Sequence, residues 1–125
     1  MRLLTLGLGH GCRTPLSKQR GVEHIPVLTK REDFTVYTKK FLTFCQDEPG
    51  CSEALRKAAE GDQIDAKIDS TTLHRWKNQL GALILELNRE LHTLLSAKTE
   101  GVAWGLVDQQ EGEGFEAWSV LHKEL

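Results

Sequence analysis

The sequence has no long apolar run, since the longest one, Ala82-Leu83-Ile84-Leu85, contains four residues. A helix that crosses a bilayer needs roughly 20 apolar residues, so we predict no membrane-spanning segment. The start of the chain, residues 1–8, is apolar but short and interrupted by glycine, and it does not fit a signal peptide. The 125 residues, of which 39% are hydrophobic and 27% charged, suit one globular domain with a modest core.

Cysteine is scarce, with three residues at positions 12, 45 and 51 in no recognised spacing. Without a secretion signal we expect reduced thiols and a cytoplasmic protein, with a nuclear location left open. A structural zinc site usually needs two tight ligand pairs. Here His10 and Cys12 lie in a segment without periodicity and Cys45 is expected to face the core, so we predict no metal site.

Sequence motifs of catalysis are also missing. The chain contains no Gly-x-Ser-x-Gly, His-Glu-x-x-His or Asp-Ser/Thr-Gly pattern. Its one glycine-rich candidate for a phosphate loop, Gly7-x-Gly9-x-Gly11, is not followed by a helical pattern whose N-terminus could hold the anion. We therefore predict no enzyme activity, no cofactor and no small-molecule substrate. An enzyme would have to use the cysteines or His74, which does not cluster with His92 or His122 in the sequence.

Charge is unevenly distributed, although the net charge is only -2. Residues 1–31 carry six Lys/Arg against one acidic residue, a net charge of +5, whereas the remainder carries ten against seventeen, a net charge of -7. A basic segment of this kind can hold nucleic acid or an acidic partner, although a solvated tail has the same composition. The candidate RNA contacts are its basic side chains Arg13, Lys18, Arg20, Lys30 and Arg31.

The first part of the chain, residues 1–28, shows neither helical nor strand periodicity, and glycine and proline recur in it. We predict a flexible basic arm over residues 1–28 and a helical domain over residues 29–125. The domain is expected to open with a capping box at Thr29-Lys30-Arg31-Glu32, in which the threonine and glutamate side chains bond to orphan backbone amides.

The first helix is predicted from apolar residues that recur at three- and four-residue steps and therefore share one face. They are Phe34, Tyr37, Phe41, Phe44 and Cys45. Lys39, Lys40 and Asp47 fall away from this face. Pro49-Gly50 is expected to end the helix, because proline disfavours helical geometry before it and glycine permits a reversal.

A short second helix is predicted from Ser52 as N-cap to Ala59, closed by Gly61. The region 62–69 is ambiguous, although Ile64 and Ile68 lie one turn apart and indicate another short helical piece.

The strongest pattern predicts a single helix of about seven turns that begins at Asp69 or Ser70. Its apolar stripe recurs at helical spacing and consists of Leu73, Trp76, Leu80, Leu83, Leu87, Leu91 and Leu94. Gly81 lies within it at a cost of about 1 kcal/mol relative to alanine, and we expect it to permit the close approach of a neighbouring helix.

Two further helices are predicted after Thr99. The first carries the one-turn pairs Val102/Leu106 and Ala103/Val107, and a loop of glycine and glutamate separates it from the last. The face of the last helix consists of Phe115, Trp118, Leu121 and Leu125. Because no period-two alternation occurs, the predicted fold class is all-α, a small helical bundle.

The three tryptophans are expected to differ in role. Trp76 and Trp118 coincide with apolar stripes, which is typical of core residues. Trp104 lies outside the pairs of its helix, so we predict it to be an exposed contact residue. The candidates for core or assembly are Phe34, Tyr37, Phe41, Trp76, Leu80, Leu83, Leu87, Leu91, Phe115, Trp118 and Leu121.

The last third of the chain, residues 87–125, resembles the capsid-like part of gag polyproteins from copia-like long-terminal-repeat retrotransposons. The matching motifs are, in order, Leu91-His92-Thr93-Leu94-Leu95, Glu100-Gly101-Val102-Ala103 with Val107, and Gly112-Glu113-Gly114-Phe115-Glu116-Ala117-Trp118-Ser119-Val120-Leu121. In that family a glycine-acid loop precedes a Phe/Leu-Glu-Ala-Trp-x-x-Leu helix. The resemblance implies a capsid-like helical module that self-associates into particles around element RNA.

The sequence departs from the family after Trp118. In the family the last helix usually continues to a basic residue and an aromatic, and then to further helices, whereas here Ser119 follows the tryptophan and Leu125 is the last residue. The resemblance therefore implies a module that is incomplete at its C-terminus, as in a truncated or domesticated remnant. The alternative hypothesis is a generic helical interaction module that binds a partner protein in a groove beside the long helix.

Overall fold

The computed structural model describes residues 14–48, 50–60, 68 and 70–125. Six α-helices lie in these ranges: α1 (Phe34–Cys45), α2 (Cys51–Glu60), α3 (Ser70–Leu80), α4 (Ile84–Ala97), α5 (Gly101–Asp108) and α6 (Gly114–Glu124). Three short 3₁₀ turns precede α1, at Leu16–Lys18, Val22–His24 and Arg31–Asp33. Over the described ranges strand pairing is limited to one isolated parallel bridge between Leu28 and Thr99. The predicted all-α class is confirmed.

Helix α6 is the centre of the bundle, with α2, α4 and α5 packed against it. Every residue from Gly114 to Ser119 is buried, as expected of a helix that has neighbours on all sides. This burial includes one carboxylate: Glu116 Oε1 accepts a hydrogen bond from the backbone nitrogen of Ile68 at 2.9 Å. Glu116 thereby ties the segment before α3 to the central helix.

The α4–α6 contact is close enough to require glycine at the first position of α6. A Cβ atom built at Gly114 would lie 2.6 Å from the backbone nitrogen of His92 and closer still to the carbonyl oxygen of Asn88. Both obstacles are backbone atoms of α4, which cannot rotate away as a side chain can. The loop before α6 also needs glycine, because Gly112 has a φ of 76°, a conformation that L side chains rarely adopt.

Helix α1 covers α6 with aromatic side chains. Tyr37, Phe41 and Cys45 are buried, which is the face that the three- and four-residue spacing predicts. The ring centroids of Phe41 and Trp118 lie 5.1 Å apart, and those of Tyr37 and Phe41 lie 5.7 Å apart. Contacts between tilted rings at these separations add to the free energy gained by burying their surface.

The prediction of a flexible arm over residues 1–28 is wrong for residues 14–28. Leu16, Ile25 and Leu28 are buried in the core. The backbone nitrogen of Leu16 donates to Glu90 Oε1 of α4 at 3.1 Å. Leu28 is held on both sides by the backbone after α4, since its nitrogen donates to the Lys98 carbonyl and its carbonyl accepts from the Glu100 nitrogen. Residues 1–13, the rest of the predicted arm, lie outside the described residues.

The single helix predicted from residue 69 or 70 onward is also wrong, because it is divided into α3 and α4. Gly81 has a φ of 131°, which no α-helical residue adopts. A Cβ atom at Gly81 would meet nothing within 4 Å, so the glycine serves the turn and, contrary to the sequence-based expectation, does not accommodate a neighbouring helix. The break lets α3 fold back against α4, which an unbroken helix could not do.

Two predicted helix starts differ from the structure. The chain forms a 3₁₀ turn at Arg31–Asp33 before α1, and no side-chain hydrogen bond caps either element, so the capping box at Thr29 is not formed. Helix α2 begins at Cys51, which places Ser52 inside it. Gly50 precedes α2 with a φ of 79°, and its Cβ would lie 2.7 Å from the carbonyl oxygen of Leu80 at the end of α3. Pro49, Gly61 and Ile64 lie outside the described residues.

Candidate functional site

Most of the residues predicted for core or assembly belong to the core. Eight of them are buried in one cluster: Tyr37, Phe41, Trp76, Leu87, Leu91, Phe115, Trp118 and Leu121. Phe34, Leu80 and Leu83 are partly buried and pack against that cluster. These side chains therefore stabilise the fold.

Two of the four exposed large hydrophobic residues in the described ranges lie on α5. Val102 is 76% exposed and Trp104 is 45% exposed, whereas Ala103 and Val107 on the opposite side of the helix are buried. Trp104 is the only one of the three tryptophans that is exposed, as its position outside the apolar pairs predicts. The exposure of a tryptophan needs an explanation, because large aromatic side chains gain most from being covered.

Two glycines flank Trp104 on the same side of α5. Gly101 and Gly105 are one turn apart, and a Cβ atom at either position would meet nothing within 4 Å. The backbone of α5 is therefore open there, and a second helix could approach it closely. We call the surface formed by Gly101, Trp104 and Gly105, with Val102 beside it, the α5 face.

A basic cleft of about 460 Å³ lies between the 3₁₀ turns and α1. Arg20, Lys39 and Lys40 supply its positive charge, and among the described residues Asp47 is the one acidic residue on its wall. Ile25 and Phe44 give it an apolar lining, with Gly21, His24 and Thr43 completing the wall. The side chains of Arg20, Lys39 and Lys40 are all exposed.

The candidate RNA contacts do not converge on this cleft as a group. Of the five, only Arg20 lines it. Lys30 and Arg31 line a smaller cleft of about 210 Å³ together with Val102 and Leu125. Lys18 is exposed at the first 3₁₀ turn, and Arg13 lies outside the described residues.

Lys39 and Lys40 are not among those five candidates. The sequence does predict that both are exposed, because they lie away from the apolar face of α1, and both are exposed in the structure. Their proximity to Arg20 depends on the docking of residues 14–28, which has no local sequence signature.

The histidines are separated in the fold as they are in the sequence. His74 is exposed on α3, and His92 Nε2 lies 3.0 Å from the Val107 carbonyl. His122 packs against the rings of Phe34 and Trp118, at centroid distances of 4.8 and 4.9 Å. Burial lowers the pKa of His122, and its contact with the Trp118 carbonyl opposes this only in part.

The two described cysteines are neighbours in the core. Cys45 and Cys51 are both fully buried and free. The hydrogen bond with Cys51, together with burial, raises the pKa of the Cys45 thiol far above its ordinary value. A thiol that stays protonated is a poor nucleophile and a poor metal ligand. The described residues contain no group of three or more side chains that could hold a metal ion, and Cys12 and His10 lie outside them.

No helix in the described ranges combines the length and the apolar character needed to cross a bilayer. The motifs on which the expected gag resemblance rests lie at the end of α4, in α5, and in the loop before α6 and α6 itself. No protein-family model matches the chain, and neither a curated protein nor a solved structure matches it significantly.

Proposed function

We propose that this chain is a non-catalytic, gag-like structural protein that associates with copies of itself through the α5 face and packages RNA in the cytoplasm. The observation that carries the proposal is the exposure of Trp104 and Val102 on a helix whose other side is buried. The same helix contains one of the motifs by which the sequence resembles gag proteins. The buried, reduced thiols of Cys45 and Cys51 are consistent with a reducing compartment.

A second copy is the partner that this surface fits best. In a two-fold symmetric dimer the same patch lies on both sides of the interface, so Trp104 of one copy would meet Gly101 or Gly105 of the other. The glycines leave room for the indole, and the indole covers the open backbone. Trp104 is 45% exposed, so the exchange would bury the exposed part of two indoles.

The interface is expected to be weak when only two copies meet. A stable dimer usually buries about 800 Å² on each partner, and α5 has only 8 residues. Association in the micromolar to millimolar range is therefore expected, with tighter assembly when many copies are held together on RNA.

Sedimentation velocity over a concentration series tests the proposal. The chain should sediment faster as its concentration rises, and Trp104→Ser should remove this dependence while the helical circular dichroism stays unchanged. Gly105→Gln should have the same effect by a different route, because a side chain would cover the open backbone at a position where a Cβ atom meets nothing within 4 Å.

Val36→Ser is the matched control. Val36 is 54% exposed on α1, so the variant removes exposed apolar surface outside the α5 face and should associate as the unmodified chain does. A chain that stays monomeric at every concentration would contradict the proposal. Unchanged association in Trp104→Ser would contradict the assignment of the α5 face.

A further inference from the structure

We infer that the basic cleft between the 3₁₀ turns and α1 binds single-stranded RNA, with phosphates on Arg20, Lys39 and Lys40 and a base against Phe44. This inference rests on the proposed function for the identity of the polymer and adds the site and its mode of recognition. It follows from three features of the cleft: its charge, its lining and its size.

The charge of the cleft selects an anion. Of the residues that the structure describes, three cations and one carboxylate line it, although the chain as a whole has a net charge of -2. The acidic residues elsewhere therefore repel an anion that the cleft attracts. Arg20, Lys39 and Lys40 are all exposed, so a phosphate can approach the three cations without any rearrangement of the core.

The lining selects an anion that also carries an aromatic group. Phe44 is half-buried, with Gly21 beside it: a Cβ atom at Gly21 would lie 3.9 Å from Phe44 Cδ1. Aromatic side chains that stack on unpaired bases, beside cations that hold the backbone, are the usual means of binding single strands without sequence preference. Polyglutamate would use the cations but has no aromatic group to stack on Phe44.

The size of the cleft suits one or two nucleotides. Pockets for small ligands have volumes of about 300–1,000 Å³, and this cleft has about 460 Å³. A duplex presents its phosphates on the outside and keeps its bases stacked and paired, so it could contact the cations only. Single strands should therefore bind more tightly than duplexes of the same length.

Fluorescence anisotropy with a labelled oligouridine, measured over a series of salt concentrations, tests the inference. The plot of log K against the logarithm of the salt concentration becomes steeper by about 0.7 for each single-strand phosphate that the protein neutralises. Lys39→Ala/Lys40→Ala removes two of the neutralising cations and should therefore make the slope shallower by about 1.4. The same variant should bind at least about tenfold more weakly, since a charge pair near 4 Å in water is worth a factor of about five.

Arg56→Ala/Lys57→Ala is the matched control. Arg56 and Lys57 are also adjacent exposed cations, but they lie on α2 outside the cleft, and their removal should leave affinity and slope close to those of the unmodified chain. Asp47→Asn should act in the opposite direction and strengthen binding, because it removes the one negative charge of the cleft.

Phe44→Leu separates stacking from charge. Leucine keeps an apolar side chain for packing but has no aromatic face, so affinity should fall roughly fivefold or more while the salt slope stays the same. Equal affinity for duplex RNA or for polyglutamate would overturn the inference, as would an equal decrease in affinity in the cleft variant and in the α2 control.

The outcomes for this site and for self-association are distinguishable. If sedimentation shows association through Trp104 but the affinity for RNA is unchanged in Lys39→Ala/Lys40→Ala, the cleft assignment is wrong and the assembly proposal stands. If the chain stays monomeric but binds oligouridine through the cleft, the cleft assignment stands and the assembly proposal is wrong.

Discussion

The side-chain oxygen of Asn88 accepts a hydrogen bond from the backbone nitrogen of Phe115 at 3.0 Å, inside the core. The first amides of a helix have no partner within that helix, and here α4 supplies one to α6. The Asn88 amide nitrogen also donates to Glu113 Oε1 at 3.0 Å. One buried side chain of α4 therefore fixes both the start of the central helix and the loop before it.

Replacing Asn88 should destabilise the chain strongly. In Asn88→Ala the buried Phe115 amide loses its acceptor, and an unsatisfied buried donor costs about 1–3 kcal/mol. Urea unfolding followed by circular dichroism gives the free energy of unfolding for the comparison. Asn78→Ala is the control, because Asn78 is exposed on α3 and its loss should change that free energy by less than about 0.5 kcal/mol.

Two glycine-to-alanine variants should have opposite effects on stability. Gly114→Ala places a methyl group against backbone atoms of α4 and should cost about 1–3 kcal/mol or more. Gly105→Ala adds a methyl group where a Cβ meets nothing within 4 Å, and it should stabilise α5 by about 0.5–1 kcal/mol. Thermal unfolding of both variants at low protein concentration checks the pair, and equal effects would contradict the tight α4–α6 contact.

Tyr37→Phe should not destabilise the chain, although it changes a fully buried residue. The Tyr37 hydroxyl has no hydrogen-bond partner among the described residues, and burial raises its pKa. Removing a polar atom that is buried without a partner is neutral or stabilising, by up to about 1 kcal/mol. A decrease of more than about 1 kcal/mol in the free energy of urea unfolding would mean that the hydroxyl has a partner in the folded chain.

Stability should fall as the pH drops below the ordinary pKa of histidine, because of His122. Its pKa in the folded chain is lowered from 6.5 by burial, so the unfolded chain takes up a proton before the folded chain does. The contribution of neutral His122 is fully present above about pH 6.5 and is lost as the pH falls towards the lowered pKa. The free energy of urea unfolding over this pH range should depend less on pH in His122→Gln than in the unmodified chain. An equal pH dependence in the two proteins would contradict a lowered pKa of His122.

The periodicity of apolar residues predicted which side of α1 and of α5 is buried. The buried face of α1, with Tyr37 and Phe41, follows from their spacing, and so does the exposure of Trp104 on α5. In each case the side of the helix that faces the core is a property of the neighbouring residues along the chain.

The break at Gly81 and the docking of residues 14–28 could not be predicted in the same way. Glycine within an apolar stripe is compatible with a continuous helix and with a turn, and only the contact between α3 and α4 decides for the turn. Leu16 and Leu28 lie in a segment without helical or strand periodicity. Their burial depends on bonds to Glu90 and to the backbone of Lys98 and Glu100, which lie about seventy residues away. The basic cleft has the same origin, since Arg20 reaches α1 only through that docking.

The most direct test of the assembly proposal is a concentration series of ¹⁵N-labelled protein followed by NMR. The amide signals of Gly101, Val102 and Gly105 and the indole signal of Trp104 should shift progressively as concentration rises. Signals from Lys39 and Lys40 should stay in place until oligouridine is added. Signals of α5 that do not move with concentration, or shifts confined to other helices, would contradict the claim that this chain assembles through the α5 face.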